Sequence, residues 1–488
     1  MPKPRLSEYD AIVVGSGPNG LSAAIRLAQA GRRTLVVEAA ERIGGGLRCA
    51  ELTRPGFLHD HCAAVHPMGA LSPYWRTLAL HEHGLEWIEA PVSAAHPLED
   101  GRVALLWHGI EATAESLEQD GAAYRKLMQP FVAHADELFD DLILMRKWPR
   151  HRWATARFAW LARRSARGLA RSRFDGELGR ALIAGCGAHS LLPLEFTLSG
   201  AVALMFCLSS HVRAWPVVRG GSEALARALG SVFRGLGGEI VCGQRVRSLD
   251  ALPSASVILF DTAPREVVAI AGDQLPAGYR RRLERYRYGP GVFKVDWALR
   301  EPIPWRAAAC REASTVHVGG TLDDICESES TMWSRGVSEK PFVMVCQQSH
   351  FDVSRAPAGQ HTGYAYIHVP HGYREDCETT ILEQIERFAP GFRDCILASH
   401  VTRPADFERG NPAFVGGSVT GGVADWRQFI TRPVARIDPY STPNPRLFLC
   451  SAATPPGGGV HGLGGWLAAE SVLRRQRGTS TRALASGG

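Results

Sequence analysis

The chain has 488 residues, 45% hydrophobic and 21% charged, which suits two to three domains with large cores and excludes a disordered protein. Its formal net charge of +6 is carried almost wholly by arginine, since lysine stands only at positions 3, 126, 147, 294 and 340. With no nucleic-acid motif beside it, that charge reads as solvated surface and speaks against a nucleic-acid partner. The 11 cysteines form no C-x-x-C, so neither a redox-active pair nor a zinc ribbon is expected, and buried reduced thiols of a cytoplasmic protein are.

Met1–Glu8 reads as a short polar lead with no signal peptide expected after it. From Tyr9 the chain alternates period. Ala11–Val14 is a short apolar run, as in a strand buried on both faces. Gly15, Gly17 and Gly20 then make G-x-G-x-x-G, with Pro18 and Asn19 between. Leu21, Ala24, Ile25 and Leu27 recur at helical spacing up to Gly31, and Thr34–Val37 is a second strand ending on Glu38. A glycine loop between strand and helix, with an acid 18 residues past Gly20, is the pattern of a dinucleotide cradle. The glycines let backbone approach a pyrophosphate, the helix N-terminus favours its charge, and Glu38 accepts from a ribose diol.

Residues 38–46 add Arg42, Gly44, Gly45 and Gly46 in the pattern E-x-x-x-R-x-G-G. This resembles flavoproteins of the glutathione-reductase and amine-oxidase type, in which the arginine and glycines extend the cradle, so FAD is expected over NAD. Asp60, His61 and His66 follow in a dense polar segment and stand as candidate proton acceptors near the flavin. A metal held by His59, His61, Cys62 and His66, or flavin attached covalently to a His or Cys there, is an alternative; the favoured reading has no metal.

Residues 76–210 read as mostly helical. Within them, 146–173 carries ten basic residues and no acid, with Trp148, Trp153 and Trp160 interleaved, the pattern of a basic amphipathic helix at a membrane surface or of a solvated basic face. The apolar run Leu198–Leu208 is too short to span a bilayer, and Phe196–Ser210 around it reads as a buried helix. Gly220–Gly221–Ser222 opens a periodic helix to Gly235, and short strands are expected at 239–242, 245–249 and 256–260. Phe293, Val295, Trp297 and Leu299 alternate with Lys294 and Asp296, which predicts a half-exposed strand with an ion pair facing water, flavin or substrate. Strands at 341–346 and 363–369 complete an expected antiparallel sheet. Finally Gly457–Gly462 leads into a C-terminal helix whose N-terminus suits partial negative charge on a flavin.

The motifs at 15–24 and 38–45, with "GPGVFKVDWAL" (289–299), "AGQHTGYAYIHVPHG" (358–372) and "PPGGGVHG" (455–462), resemble the phytoene desaturase-like flavoproteins over nearly the whole chain. Within that family the chain looks like the bacterial relatives of the pyridine nucleotide-disulfide oxidoreductase domain-containing protein 2. The resemblance implies an α/β fold. A Rossmann-type FAD-binding domain (1–75, 211–288 and 431–488) would join an α+β substrate domain with an antiparallel sheet and helices (76–210 and 289–430). It also implies noncovalent FAD, with Val246 meeting the adenine and Gly458, Gly459 and Val460 meeting the flavin side, and an apolar, isoprenoid- or carotenoid-like substrate from which hydride passes to FAD. Two alternatives stay open. One is a flavin amine oxidase with Trp426 and Trp466 as an aromatic cage. The other is a non-catalytic lipid carrier, because Rab GDP-dissociation inhibitors are similar in fold. The oligomeric state is not legible.

Overall fold

A computed structural model describes residues 8–145, 148–334 and 336–485. Most of the Met1–Glu8 lead, together with Arg146 and Lys147 of the basic stretch, lies outside them. The core of the first half of the cleft is a five-stranded parallel sheet. Its order is Leu447–Leu449, Ala255–Phe260, Tyr9–Val14, Thr34–Val37, Glu239–Val241. The central strand pairs Val13 with Leu259 on one side and Val36 on the other, and both its faces are buried, which is why it reads as an unbroken apolar run. Residues 245–249 do not pair as a strand; they are irregular and enter a short 3-10 turn at Leu249–Ala251.

The helix Pro18–Gln29 begins with proline at its first turn and ends before Gly31, which takes φ 73°. Its Leu21, Ala24, Ile25 and Leu27 are fully buried. The C-terminal helix, Leu463–Ala485, packs across it so closely that a Cβ on Gly465 would lie 1.7 Å from the Asn19 carbonyl. The two ends of the chain therefore close on each other at the glycine loop.

The second sheet has seven strands in the order Ile396–Thr402, Gly291–Leu299, His361–Val369, Val343–Cys346, Ala313–Val318, Val92–Pro97, Val103–Trp107. It is mixed: Val92–Pro97 runs parallel to Ala313–Val318 and every other neighbouring pair is antiparallel. The stretch 76–210 is mostly helical as expected, but its Val92–Pro97 and Val103–Trp107 form a β-hairpin that completes a sheet built otherwise of later residues. The helices Glu177–Ala188 and Ser199–Val212 belong to the apolar core that takes in Ala94, Leu106 and Met344 of this sheet. Phe293, Val295 and Trp297 belong to another, with Ile381, Phe388 and Phe392.

The strand Gly291–Leu299 is consequently buried on both faces, and Lys294 (2% exposed) and Asp296 (0%) form an internal ion pair. The expected half-exposed strand is thus overturned, since alternation marks two different environments but does not say that one of them is water.

The basic stretch folds into two helices, Arg152–Ala162 and Ala166–Arg173, the second capped by Ser165, whose Oγ accepts from the Gly168 N–H. Phe158, Leu161, Ala162 and Leu169 are buried, while Trp148, Trp153 and Trp160 are 79%, 89% and 66% exposed. No helix among the described residues is long and apolar enough to cross a membrane.

Candidate FAD and active site

A cleft of about 450 Å³ opens where the carboxyl ends of the parallel strands meet the second sheet. Chain-distant segments wall it: Gly15–Asn19, Glu38–Ala40, Gly45–Arg48, Gln244–Val246, Asp261–Pro264 and Gly457–Val460. Gly15, Gly17, Pro18, Asn19, Glu38, Gly45, Gly46, Val246, Gly458, Gly459 and Val460 of the expected cradle all line it.

The backbone makes room for a large polar guest. A Cβ on Gly17 would sit 2.6 Å from Asp261 Oδ2, and one on Gly458 would sit 2.5 Å from the Thr420 carbonyl. Gly459 takes φ 131°, a conformation that side chains rarely adopt. Glu38 is held in place before any ribose arrives. Its Oε2 accepts from Ser16 N (2.8 Å) and Ser16 Oγ (2.5 Å), and its Oε1 from Ala40 N (2.9 Å). A carboxylate has about four lone-pair positions, so acceptor capacity is left for a diol.

Three expected residues stand behind the wall. Gly20 faces inward, its N–H donating to Asp261 Oδ2 at 2.8 Å. Gly44, at φ 117°, turns the chain and donates to the Ser16 carbonyl. Arg42 does not line the cleft: its guanidinium forks onto Glu223 at 2.8 and 3.0 Å and reaches the Cys49 carbonyl, tying the first motif to the Gly-Gly-Ser turn. Arg245, Arg409 and Arg48 do stand on the wall, and the one nearest in sequence to the first motif, Arg48, is one that sequence reading passed over. It donates to the carbonyls of Gly45 and Gly410, and its only sequence signal is its place three residues after Gly45.

Asp261 was missed as well. Burial pushes its carboxyl up to about 7, against the lowering pull of the Gly20 N–H, with Glu38 adding to the rise. No motif announces it; it is the residue after the strand Ala255–Phe260, brought to the loop by parallel pairing with Tyr9–Val14.

None of the candidate proton acceptors lines the cleft. Asp60 is wholly buried, 2.8 Å from Arg355 Nη1, and accepts from Ser222 N and Cys49 Sγ. Burial alone would raise its carboxyl, but Arg355 and the Ser222 N–H hold it down at about 2, which removes it as a base. His66 bonds Ser222 Oγ at 2.8 Å and burial lowers it to about 4. Burial, with Arg48 and Lys294 near, likewise lowers His61 to about 4. Cys62 does reach the wall, and burial pushes its thiol up to about 11, so it is no nucleophile at neutral pH. Behind this segment Lys294 Nζ donates to the Asp60 carbonyl at 2.9 Å and to Asp296 at 2.5 Å, and lies 4.4 Å from the Tyr364 ring centre.

Cys62, Phe414 and Val419 form an apolar side of the cleft, packing with Leu191, Val292, Phe407 and Tyr366. The proposed aromatic cage is not there. Trp426 is 57% exposed, and Trp466 stacks on Tyr74 at 5.6 Å in the core beneath the first sheet.

A parallel five-stranded sheet with this three-ended glycine cleft, set against a mixed sheet, is the architecture of a FAD-dependent oxidoreductase. The chain belongs to the flavin containing amine oxidoreductase family, whose sequence profile matches residues 19–473, and FAD is its cofactor. It is 28% identical to mouse pyridine nucleotide-disulfide oxidoreductase domain-containing protein 2, over 96% of this chain and 94% of that one. It is 24% identical to the lycopene-forming phytoene desaturase of Pseudescherichia vulneris, over 93% and 96% of the two chains. In fold it is similar to an oxidoreductase from Methanosarcina mazei (TM-score 0.63, 16% identity, 95% and 99% covered). Putrescine oxidase bound to putrescine is also similar (TM-score 0.60, 18% identity, 96% and 99% covered).

Proposed function

We propose that the chain is a dehydrogenase or desaturase of an apolar, isoprenoid- or carotenoid-like substrate. The observation that carries this reading is the apolar side of the cleft, where Cys62, Phe414 and Val419 continue into Leu191, Val292 and Phe407. FAD, when bound, supplies the acceptor for a hydride from a substrate carbon. The chain's own residues do the rest. Gly15–Asn19 and Gly45–Gly46 cradle the pyrophosphate, Glu38 accepts from the ribose, the backbone at Val246 meets the adenine, and Gly458–Val460 back the flavin. The apolar side orients an uncharged substrate and excludes water. No charged side chain of the 59–66 segment reaches the cleft, in keeping with a substrate that offers no charge to pair. We divide the chain into a FAD domain (1–75, 211–288, 431–488) and a substrate domain (76–210, 289–430) on the same grounds.

The test is anaerobic mixing of the purified holoprotein with phytoene in lipid vesicles and, separately, with putrescine. Bleaching of the flavin absorbance by the first alone supports the proposal; bleaching by the amine alone assigns amine oxidation instead. A protein that takes up no FAD but retains lipid would make it a carrier.

We also propose that the exposed Trp153–Trp160 face makes peripheral contact with membrane. Arg163 stands 4.1 Å over the Trp160 ring and Arg152 stands 5.7 Å over Trp148, so indole and cation are offered together. Among the described residues, Arg152, Arg157 and Arg163 have no carboxylate partner, leaving their charge for anionic headgroups.

A further inference from the structure

At the start of the helix that carries Trp153 and Trp160, three side chains that the flavin site does not use converge on one point. His134 precedes the helix Ala135–Ile143, Glu137 lies in its first turn, and His151 precedes the helix Arg152–Ala162. One nitrogen from each histidine and one oxygen of Glu137 all lie within 4.8 Å of one another. The two imidazoles stack with centres 3.8 Å apart and planes 10° apart, and His151 Nε2 is 2.5 Å from Glu137 Oε2. The geometry points to a divalent-cation site, His134–Glu137–His151, that takes zinc with a water as fourth ligand.

The donor set and its setting support this. Two imidazoles and a carboxylate are ligands that zinc accepts at about 2.0–2.2 Å, and three protein ligands plus water make a common tetrahedral site. The donor atoms are already within reach of one ion, and binding would turn the two imidazoles out of their parallel stack so that both in-plane lone pairs aim at it. The cations next in line are matched by acids: Arg76 is paired with Asp136 and Asp140, and Arg150 with Asp140 and Asp141. The bonds of Arg150 to Asp140 and Asp141 also fix the approach to His151. The ion would join the starts of two helices and so fasten the helix that carries Trp153 and Trp160. It does not depend on what substrate the cleft takes.

The experiment is a titration of the full-length, FAD-loaded protein with zinc chloride against a chromophoric chelator. The wild type, His134→Asn, His151→Asn and Glu137→Gln are compared, folding being checked by the flavin spectrum and far-UV circular dichroism. Loss of an outer-shell partner costs about 10–100-fold in metal affinity, so loss of either histidine should cost at least that. Glu137→Gln should weaken binding less. Cobalt chloride as a second probe should give tetrahedral d–d bands without a thiolate charge-transfer band. Affinity unchanged in both histidine variants, or a sulfur band in the cobalt spectrum, would place the bound metal on cysteine and overturn the site.

Discussion

Asp60 and Arg355 stand 295 residues apart in sequence and form a fully buried ion pair of 2.8 Å. Around it, Asp352 holds the same guanidinium at 2.9 Å, Ser222 donates to Asp60, and Lys294 donates to the Asp60 carbonyl. The pair thereby joins the segment after the first glycine motif, the Gly-Gly-Ser turn and the loop before the strand His361–Val369.

Removing one partner leaves the other charge buried and uncompensated. Arg355→Leu should cost about 3–5 kcal/mol of stability, measured as a lower urea midpoint of the FAD-loaded protein. The Asp60 carboxyl sits at about 2 in the fold, below its unfolded range. Its contribution is therefore present at neutral pH and lost as pH falls from about 4 toward 2. The gap between wild type and Asp60→Asn should shrink over that range; a constant gap would show that the carboxylate charge is not what stabilises.

The glycines of the cleft are sterically required. Gly17→Ala and Gly458→Ala each set a methyl group within 2.6 Å of an oxygen that cannot move freely. Each should weaken FAD binding about tenfold or more, equal to ~1.4 kcal/mol, read from the flavin-to-protein absorbance ratio after dialysis. An Arg42→Lys variant, by contrast, should bind FAD nearly as the wild type does while unfolding at lower urea, because Arg42 serves Glu223 and not the cleft.

Asp261 makes the FAD-free protein sensitive to alkali. Its carboxyl is raised to about 7 by burial, above the value it takes unfolded. The stability it contributes is present in full at low pH and lost as pH rises through about 7. Urea midpoints of the apoprotein from pH 5 to 8 should fall in the wild type and stay flatter in Asp261→Asn. Parallel curves would mean that the carboxyl has ionised already at pH 5.

Replacing Trp153 and Trp160 with serine should reduce co-sedimentation with phosphatidylglycerol vesicles several-fold at low salt. It should leave flavin binding intact, since both indoles are exposed and neither lines the cleft. Equal sedimentation of variant and wild type would assign this face to solvent or to another protein.

The cradle could be read before folding because its chemistry is local. A glycine loop between a strand and a helix, with Glu38 at the end of the next strand, places every group within one βαβ unit, and hydrophobic period alone sets that unit. The closing loop Gly457–Val460 was legible for the same reason: glycine density ahead of a helix. Trp426 and Lys294 show the limit. Both lie in stretches whose pattern is clear, yet one faces solvent and the other is sealed under a second layer. The choice between those outcomes rests on which helices or strands cover the face, and they come from elsewhere in the chain.

Arg42, Arg48, Asp60 and Asp261 mark the same division. Arg42 stands in a motif and Asp60 in a polar segment that drew notice, while no motif marks Arg48 or Asp261; their roles depend on partners such as Glu223 and Arg355, or on Gly20, 241 residues from Asp261. Short-range periodicity, turn geometry and motif spacing were enough for a dinucleotide cradle, and the resemblance of its motifs to those of flavoproteins supplied FAD and the class of chemistry. Burial and long-range pairing set which arginine meets the cleft and which acid is neutralised in the core. Both are sums over contacts between distant segments, and no window of sequence contains them.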